Sequence, residues 1–151
     1  MEKKNSHIWK FIASTDVFTL ATCAGEKPYC TPCFYAFDSI EKLLVFKSEA
    51  RTRHVTELLL QPQIAGSILP KTFTIGKVRG VQFSGKTLPL KDETHASRLK
   101  QLYYKRFPLA LPMAGELWVV ELSEIKMTDN TIGFGQKLRW KRREEVCPNL
   151  N

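Results

Sequence analysis

The sequence has no apolar run long enough to form a membrane-spanning helix or the core of a signal peptide. Its first segment, MEKKNSHIWKFIAST, has a basic start but only short apolar runs. Cysteine is also scarce, because four residues in 151 are too few for the disulfide-built class of small secreted domains. We therefore expect a cytoplasmic protein with free thiols and no membrane partner.

Acidic residues are in short supply. The chain has 15 Asp and Glu against 23 Lys and Arg, a formal net charge of +8, which favours anionic partners. Apolar residues make up 43% and charged residues 25%, a composition that argues against a disordered chain. The length suits one domain, residues 1–151, with its own core.

Hydrophobic periodicity predicts about six strands and three helices. Runs rich in β-branched and aromatic residues, bounded by turn residues, predict strands at 17–23, 29–38, 42–48, 63–69, 77–90 and 116–127, and the run 77–90 also alternates with a two-residue period. A helical period predicts helices at 6–15, from 52 to just before Pro62, and at 92–108. The apolar helix faces are Ile8, Phe11 and Ile12; Val55, Leu58 and Leu59; and Ala96, Leu99, Tyr103 and Phe107. Short successive strands without regular βαβ alternation predict an α+β domain, built on a mostly antiparallel sheet or small barrel.

GVQFSGKT, residues 80–87, matches the written pattern of a phosphate-binding P-loop. A P-loop needs a flexible turn followed by a helix whose N-terminal amides face the phosphates. Here Val81 to Ser84 keep the period of a strand, and Pro89 follows where the helix should begin. We therefore predict a core strand with a glycine kink or bulge at its end, and a solvated Lys86.

CTPC, Cys30 to Cys33, has the spacing of a redox dithiol or half a zinc site. On a strand, three steps of roughly 3.3 Å separate the two α-carbons by about 10 Å and turn the side chains to opposite faces. Cys23 and Cys147 stand alone, so no second ligand pair completes a metal site. We expect no metal and no disulfide, only small buried thiols in the barrel wall.

FKSEARTRHV, residues 46–55, joins a predicted strand to a predicted helix and gathers cations at the helix start. The positive end of a helix dipole repels cations, and only Glu49 offsets them. Ser48 and Thr52 add hydroxyl donors. Two interpretations stay open: an external anion such as a phosphate binds here, or the long side chains extend into water.

The order of elements resembles the flavin-binding split barrels of the pyridoxamine-phosphate-oxidase-like superfamily. Its uncharacterised YhbP-like branch is the nearer likeness, through TRHV, RGVQFSGK, KRFP and SEIKMTDNTIGFGQKLRWKR. The resemblance covers nearly the whole chain. It implies an α+β split β-barrel of about six mostly antiparallel strands with flanking helices.

The resemblance also implies a homodimer with FMN in clefts at the subunit interface. The phosphate would be held at the end of the third strand and the start of the following helix, and the isoalloxazine ring would lie along the second strand. The implied FMN-binding residues are Lys47, Ser48, Arg53, His54, Thr31, Pro32, Cys33, Phe34, Gln82 and Trp140, the last from the partner's C-terminal segment. True pyridoxamine phosphate oxidases are expected to bind the ring and phosphate of their vitamin substrate with a pattern of His and Arg residues in this last segment. LRWKRREE lacks that pattern, which argues against oxidation of the vitamin by this protein.

The leading hypothesis is an FMN-dependent oxidoreductase of unknown small-molecule substrate, with no catalytic residue identified. An alternative is a non-enzymatic flavin or haem carrier or sensor on the same fold. A third hypothesis, a nucleic-acid surface around Trp140 in the basic segment 137–145, is less favoured because the excess charge is also spread along the chain.

Overall fold

A computed structural model describes residues 2–72, 74–133 and 135–143. The helices in these residues are α1 (Glu2–Ser14), α2 (Arg53–Leu60) and α3 (Glu93–Arg106), followed by a 3₁₀ turn at Pro108–Ala110. The strands are β1 (Val17–Ala24), β2 (Lys27–Asp38), β3 (Leu43–Ser48), β4 (Gln63–Ile68), β5 (Arg79–Leu88), β6 (Glu116–Asp129) and β7 (Lys137–Lys141). None of the helices in this part of the chain is long and apolar enough to span a membrane.

The strands form a closed ring of six with a seventh strand at one side. β1, β2 and β3 make an antiparallel meander, as predicted. β3 then pairs with the first part of β6, β6 with β5, β5 with β4, and β4 with β1, all antiparallel. The far end of β6 extends beyond β3 and pairs with β7. The predicted α+β split barrel is confirmed.

Helices pack on the barrel in different places. Ile8, Phe11 and Ile12 of α1 are buried in the main core cluster together with inward-facing side chains of the strands. α3 instead lies against the outer face of the sheet, where Leu99 and Tyr103 belong to a second buried cluster. Asp92 caps α3, as predicted, because its carboxylate accepts a 2.8 Å hydrogen bond from the backbone N–H of His95.

Two details of the predicted elements are wrong. The segment 137–141 forms a seventh strand, since Leu138 is buried and Trp140 packs against the core while the intervening cations face outward. Leu59 was assigned to the buried face of α2 with Val55 and Leu58, but its side chain is 64% exposed. The short helix buries only a narrow face against the barrel, and Leu59 lies beside that face.

The P-loop lookalike is a strand, as predicted. Val81 and Phe83 are buried within β5, and the strand register against β6 shifts between Ser84 and Gly85, which is the predicted bulge. A Cβ on Gly85 would lie 2.4 Å from the carbonyl oxygen of Glu121, so close strand approach explains this glycine. Lys86 is half-exposed, with its Nζ 3.6 Å from a carboxylate oxygen of Glu121.

Cys30 and Cys33 are free thiols on β2, with Cys33 buried and Cys30 exposed. The strand assignment is confirmed, but the prediction that both thiols are buried is wrong for Cys30, because the outer face of β2 is uncovered there. Cys147 lies outside the described residues. Among residues 2–72, 74–133 and 135–143, no group of three or more His, Cys, Asp or Glu side chains is placed to hold a metal ion.

The three described cysteines should differ in reactivity. Burial raises the pKa of the Cys33 thiol to about 12, whereas Cys23 and Cys30 are exposed. Because the thiolate is the nucleophile, iodoacetamide at about pH 8 should alkylate Cys23 and Cys30 at least ~10-fold faster than Cys33. Time-resolved mass spectrometry of the peptides measures the three rates. Equal rates in the native protein would contradict the prediction, and equal rates after unfolding in urea are the control.

Candidate cofactor cleft

A cleft of about 510 Å³ lies on the outer face of the barrel, beside the area that α3 covers. Ala36 of β2 is buried under α3, but Pro32 and Phe34 on the same face of the strand are exposed. The lining residues come from β2, the end of β3, the start of α2, and the end of α3 with the segment after it. They are Pro32, Cys33, Phe34, Lys47, Ser48, His54, Tyr103, Arg106, Phe107, Pro108, Leu109, Ala110, Met113 and Ala114.

One side of the cleft is aromatic. The ring of Phe34 packs edge-on against Phe107, with centroids 5.6 Å apart. Phe107 also contacts Tyr103 at 5.2 Å, and Tyr103 is buried between α3, to which it belongs, and the sheet. Rigid aromatic side chains of this kind offer an apolar surface to a planar ligand at small cost in conformational entropy.

The other end of the cleft is polar. The Oγ of Ser48 lies 2.7 Å from the Nε2 of His54 and 3.1 Å from the Oγ1 of Thr52. Thr52 Oγ1 is also 3.2 Å from the same imidazole nitrogen. These three side chains form one hydrogen-bonded cluster at the junction of β3 with α2.

The N-terminus of α2 at this cluster has no side-chain cap. Thr52 stands at the N-cap position, but its hydroxyl donates to the carbonyl oxygen of Glu49 at 2.8 Å and makes no capping hydrogen bond. The first turn of α2 contains no acidic residue. Because the first backbone N–H groups of a helix have no intrahelical acceptor, this end of α2 is suited to an anion.

His54 is buried at this junction. Burial lowers the pKa of its imidazole, and the nearby Glu57 carboxylate opposes that shift in part. The ring is therefore mostly neutral at pH 7, with one nitrogen that donates and one that accepts. A neutral imidazole next to two hydroxyls can donate to an oxyanion without a fixed positive charge of its own.

Two cations line the cleft, and both are held by backbone carbonyls. The ammonium of Lys47 donates to the carbonyl oxygens of Ala110 and Met113, at 2.8 and 2.6 Å. Lys47 thus connects the segment after α3, which forms one wall of the cleft, to the end of β3. The guanidinium of Arg106 donates to the carbonyl oxygen of Thr15 at 2.9 Å and to the Asp16 carboxylate at 2.7 Å.

Arg53 turns away from the cleft. Its Nε lies 2.7 Å from the Glu57 carboxylate, and its guanidinium stacks 4.3 Å from the centroid of the Tyr29 ring. Glu57 also accepts a 2.6 Å hydrogen bond from Thr22, and these two donors hold the pKa of its carboxyl below the usual range. The expectation that only Glu49 offsets the cations of this junction is therefore wrong, because Glu57 pairs with Arg53 one helical turn later.

The structure brings together six of the ten predicted cofactor residues in one cleft: Pro32, Cys33, Phe34, Lys47, Ser48 and His54. Thr31 and Arg53 are chain neighbours of this set but do not line the cleft. Gln82 and Trp140 line a separate shallow depression on β5, β6 and β7. The Trp140 ring packs edge-on against Trp9 of the same chain at 5.0 Å. The cofactor role of all ten residues stays a prediction.

Sequence reasoning missed the wall formed by Tyr103, Arg106, Phe107 and Met113. Tyr103 and Phe107 were predicted as part of the helix stripe that packs on the core, and KRFP was noted only as a family mark. The stripe does pack on the sheet, but its C-terminal end projects past the covered area and becomes one side of the cleft. Only the position of α3 on the barrel reveals this.

Solved structures with similar folds define the class of this barrel. The FAD-binding protein of Mesorhizobium loti matches with a TM-score of 0.67 and 13% identity, over 80% of this chain and 89% of that one. The haem-binding protein of Mycobacterium smegmatis matches with a TM-score of 0.71 and 17% identity, over 87% of this chain and 55% of that one. The chain shares the α+β split-barrel fold of these structures, which is the fold that the resemblance implied.

Within that class, the family is shown by sequence. The chain is 38% identical over 138 residues to a UPF0306 protein of Photorhabdus laumondii, a match that covers 89% of this chain and 94% of that relative. The chain belongs to the UPF0306 family. No protein-family model matches it.

Proposed function

We propose that the cleft binds FMN and that the protein is a flavin-dependent oxidoreductase. The observation that carries the proposal is one cleft with an aromatic side and an uncapped helix N-terminus at its polar end. A flavin mononucleotide has the same two parts, a planar ring system and a phosphate. The cleft volume of about 510 Å³ lies within the range of small-molecule sites.

The residues present fit such a ligand. Ser48, Thr52 and His54 would hold the phosphate together with the first backbone N–H groups of α2. Phe34 and Phe107 would contact the ring. The FAD-binding and haem-binding proteins of similar fold support the proposal of a planar cofactor on this scaffold.

The rim of the cleft favours a homodimer. Phe34 is 59% exposed, Leu109 87% and Met113 64%, so apolar side chains surround the opening. Exposed apolar groups that cluster in this way are typical of interaction surfaces. A second copy of the chain would cover them and exclude water from the cleft. Light scattering should then report twice the chain mass.

The lining residues indicate what this chain contributes to chemistry. A bound flavin supplies hydride and electron transfer. The cleft lining contains no Asp or Glu among the described residues, so we assign the chain the tasks of binding, orienting and desolvating. The substrate remains unassigned, and the cytoplasmic location stays a prediction.

A carrier or sensor that holds flavin or haem without turnover is the second candidate, favoured by the same absence of a carboxylate from the described lining. Anaerobic mixing of the flavin-loaded protein with NADH or NADPH separates the two candidates. Rapid bleaching of the flavin bands supports the oxidoreductase, and no reduction by either donor supports the carrier. Nucleic-acid binding is less favoured, because Trp140 packs against Trp9 and is not open to stacking on a base.

Titration with three flavins tests the proposed cofactor. FMN should bind tightly, riboflavin should bind at least ~10-fold more weakly because it lacks the phosphate, and FAD should be weakened by its added nucleotide. Quenching of flavin fluorescence measures the three affinities under the same conditions. Equal affinity for FMN and riboflavin would contradict a phosphate site in the cleft.

A further inference from the structure

Five outward-facing side chains form a continuous row across the barrel wall. Thr19 on β1 is paired with Ser67 on β4, and Ser67 with Gln82 on β5. Gln82 is paired with Lys126 on β6, and Lys126 with Arg139 on β7. Since cross-strand partners lie on one face of a sheet, the row presents two hydroxyls, an amide, an ammonium and a guanidinium side by side.

The cationic end of the row is uncompensated. Lys126 and Arg139 are directly opposed across the β6–β7 pair, and like charges in that position are destabilising. Within the described part of the chain, neither side chain makes a hydrogen bond or an ion pair. Glu124, two residues before Lys126 on the same face of β6, is paired with Lys141 at 2.9 Å. The cross-strand position therefore places two cations opposite each other, with no acidic partner for either among the described residues.

The surroundings of the row leave room for a ligand. The adjacent row on the same face begins with Ala65 and Ser84, whose side chains are small, and continues to Glu124 and Lys141, which pair with each other. Gln82, Lys126 and Arg139 line a shallow depression of about 470 Å³. An extended polyanion would need a longer groove, and the row has no exposed aromatic side chain for base stacking. The depression suits a small molecule with one or two oxyanion groups.

We propose that Gln82, Lys126 and Arg139 form an anion-binding subsite for a phosphate or carboxylate group of a small ligand. The amide of Gln82 supplies a neutral donor, and the two cations supply charge-assisted hydrogen bonds that end their mutual repulsion. The subsite lies on β5, β6 and β7, apart from the cleft, and the inference does not depend on the proposed flavin.

Calorimetric titration at low salt tests the subsite, with inorganic pyrophosphate in one arm and citrate in the other. The wild-type protein should bind at least one of the two anions, and the stronger binder indicates whether phosphate or carboxylate is preferred. The double variant Lys126→Gln, Arg139→Gln should bind at least about tenfold more weakly. The control Lys27→Gln, Lys100→Gln removes the same charge from exposed positions elsewhere and should bind as wild type does.

Thermal unfolding without added anion gives a second readout. Because the double variant removes a like-charge pair, its Tm should equal that of the wild type or exceed it by ~1–3 °C. A clear fall in Tm would show that the two side chains serve the fold and would overturn the proposal. The proposal would also be overturned if the wild-type protein bound neither anion, if the double variant bound as tightly as the wild type, or if the control variant lost as much affinity as the double variant.

Discussion

Replacing Ser48 with aspartate is expected to lower FMN affinity at least ~100-fold, while riboflavin affinity stays within about threefold of wild type. The Ser48 hydroxyl lies 2.7 Å from His54 and beside the uncapped start of α2, where the phosphate would bind. A carboxylate there occupies the anion position and repels the phosphate dianion. The loss of the one hydrogen bond that the Ser48 hydroxyl can donate to the phosphate, at about 1.5–3 kcal/mol, and the added charge repulsion together set the size of the effect.

Thr56→Asp is the matched control for this experiment. Thr56 lies on α2, close to the junction that holds Ser48, but it is exposed and does not line the cleft, so the substitution adds the same charge outside the site. Fluorescence-quenching titrations with FMN and riboflavin compare the variants, and circular dichroism checks that each is folded. If Ser48→Asp weakens FMN and riboflavin equally, the residue shapes the cleft without contacting a phosphate. If it weakens neither, the phosphate site is misplaced.

Strands whose burial repeats every two residues were predictable from that pattern in the sequence. β5 shows this clearly, since Val81 and Phe83 point into the core and Gln82 and Ser84 point outward, whatever the P-loop pattern suggests. β7 was missed for the opposite reason. Its outward positions carry Lys or Arg, and only Leu138 is buried, so the segment resembles a solvated tail until it is paired with the overhanging end of β6.

The candidate site was half predictable. Lys47, Ser48 and His54 come from one continuous strand-to-helix junction, and local chemistry was enough to find them. The opposite wall comes from the end of α3, whose position on the barrel depends on long-range packing of Leu99 and Tyr103. The direction in which each side chain of the junction points also could not be predicted from the sequence. Arg53 belongs to the same junction, but Glu57 and Tyr29 hold its guanidinium away from the cleft.

Arg142 connects the C-terminal strand region to the closure of the barrel. Its backbone N–H donates to the carbonyl oxygen of Ser123 at 2.8 Å. Its guanidinium donates to the carbonyl oxygens of Leu122 and Glu41 at 2.8 Å each, and to that of Lys42 at 3.2 Å. The Arg142 side chain is about one-third exposed, so its hydrogen bonds are partly shielded from water, and its guanidinium also lies 3.9 Å from the Glu121 carboxylate.

Arg142→Ala should therefore lower the free energy of unfolding by about 2–4 kcal/mol, and Tm by ~5–12 °C for a domain of this size. Three carbonyl acceptors lose a charged donor at once, and the link between residues far apart in the chain is lost with it. Arg142→Lys should recover part of the loss, since an ammonium keeps the charge but cannot span all three carbonyls. Urea unfolding followed by circular dichroism measures the difference.

Arg143→Ala, at the exposed next position, should change stability by less than ~0.5 kcal/mol. Equal effects at the two positions would show that the guanidinium contacts of Arg142 do not stabilise the fold.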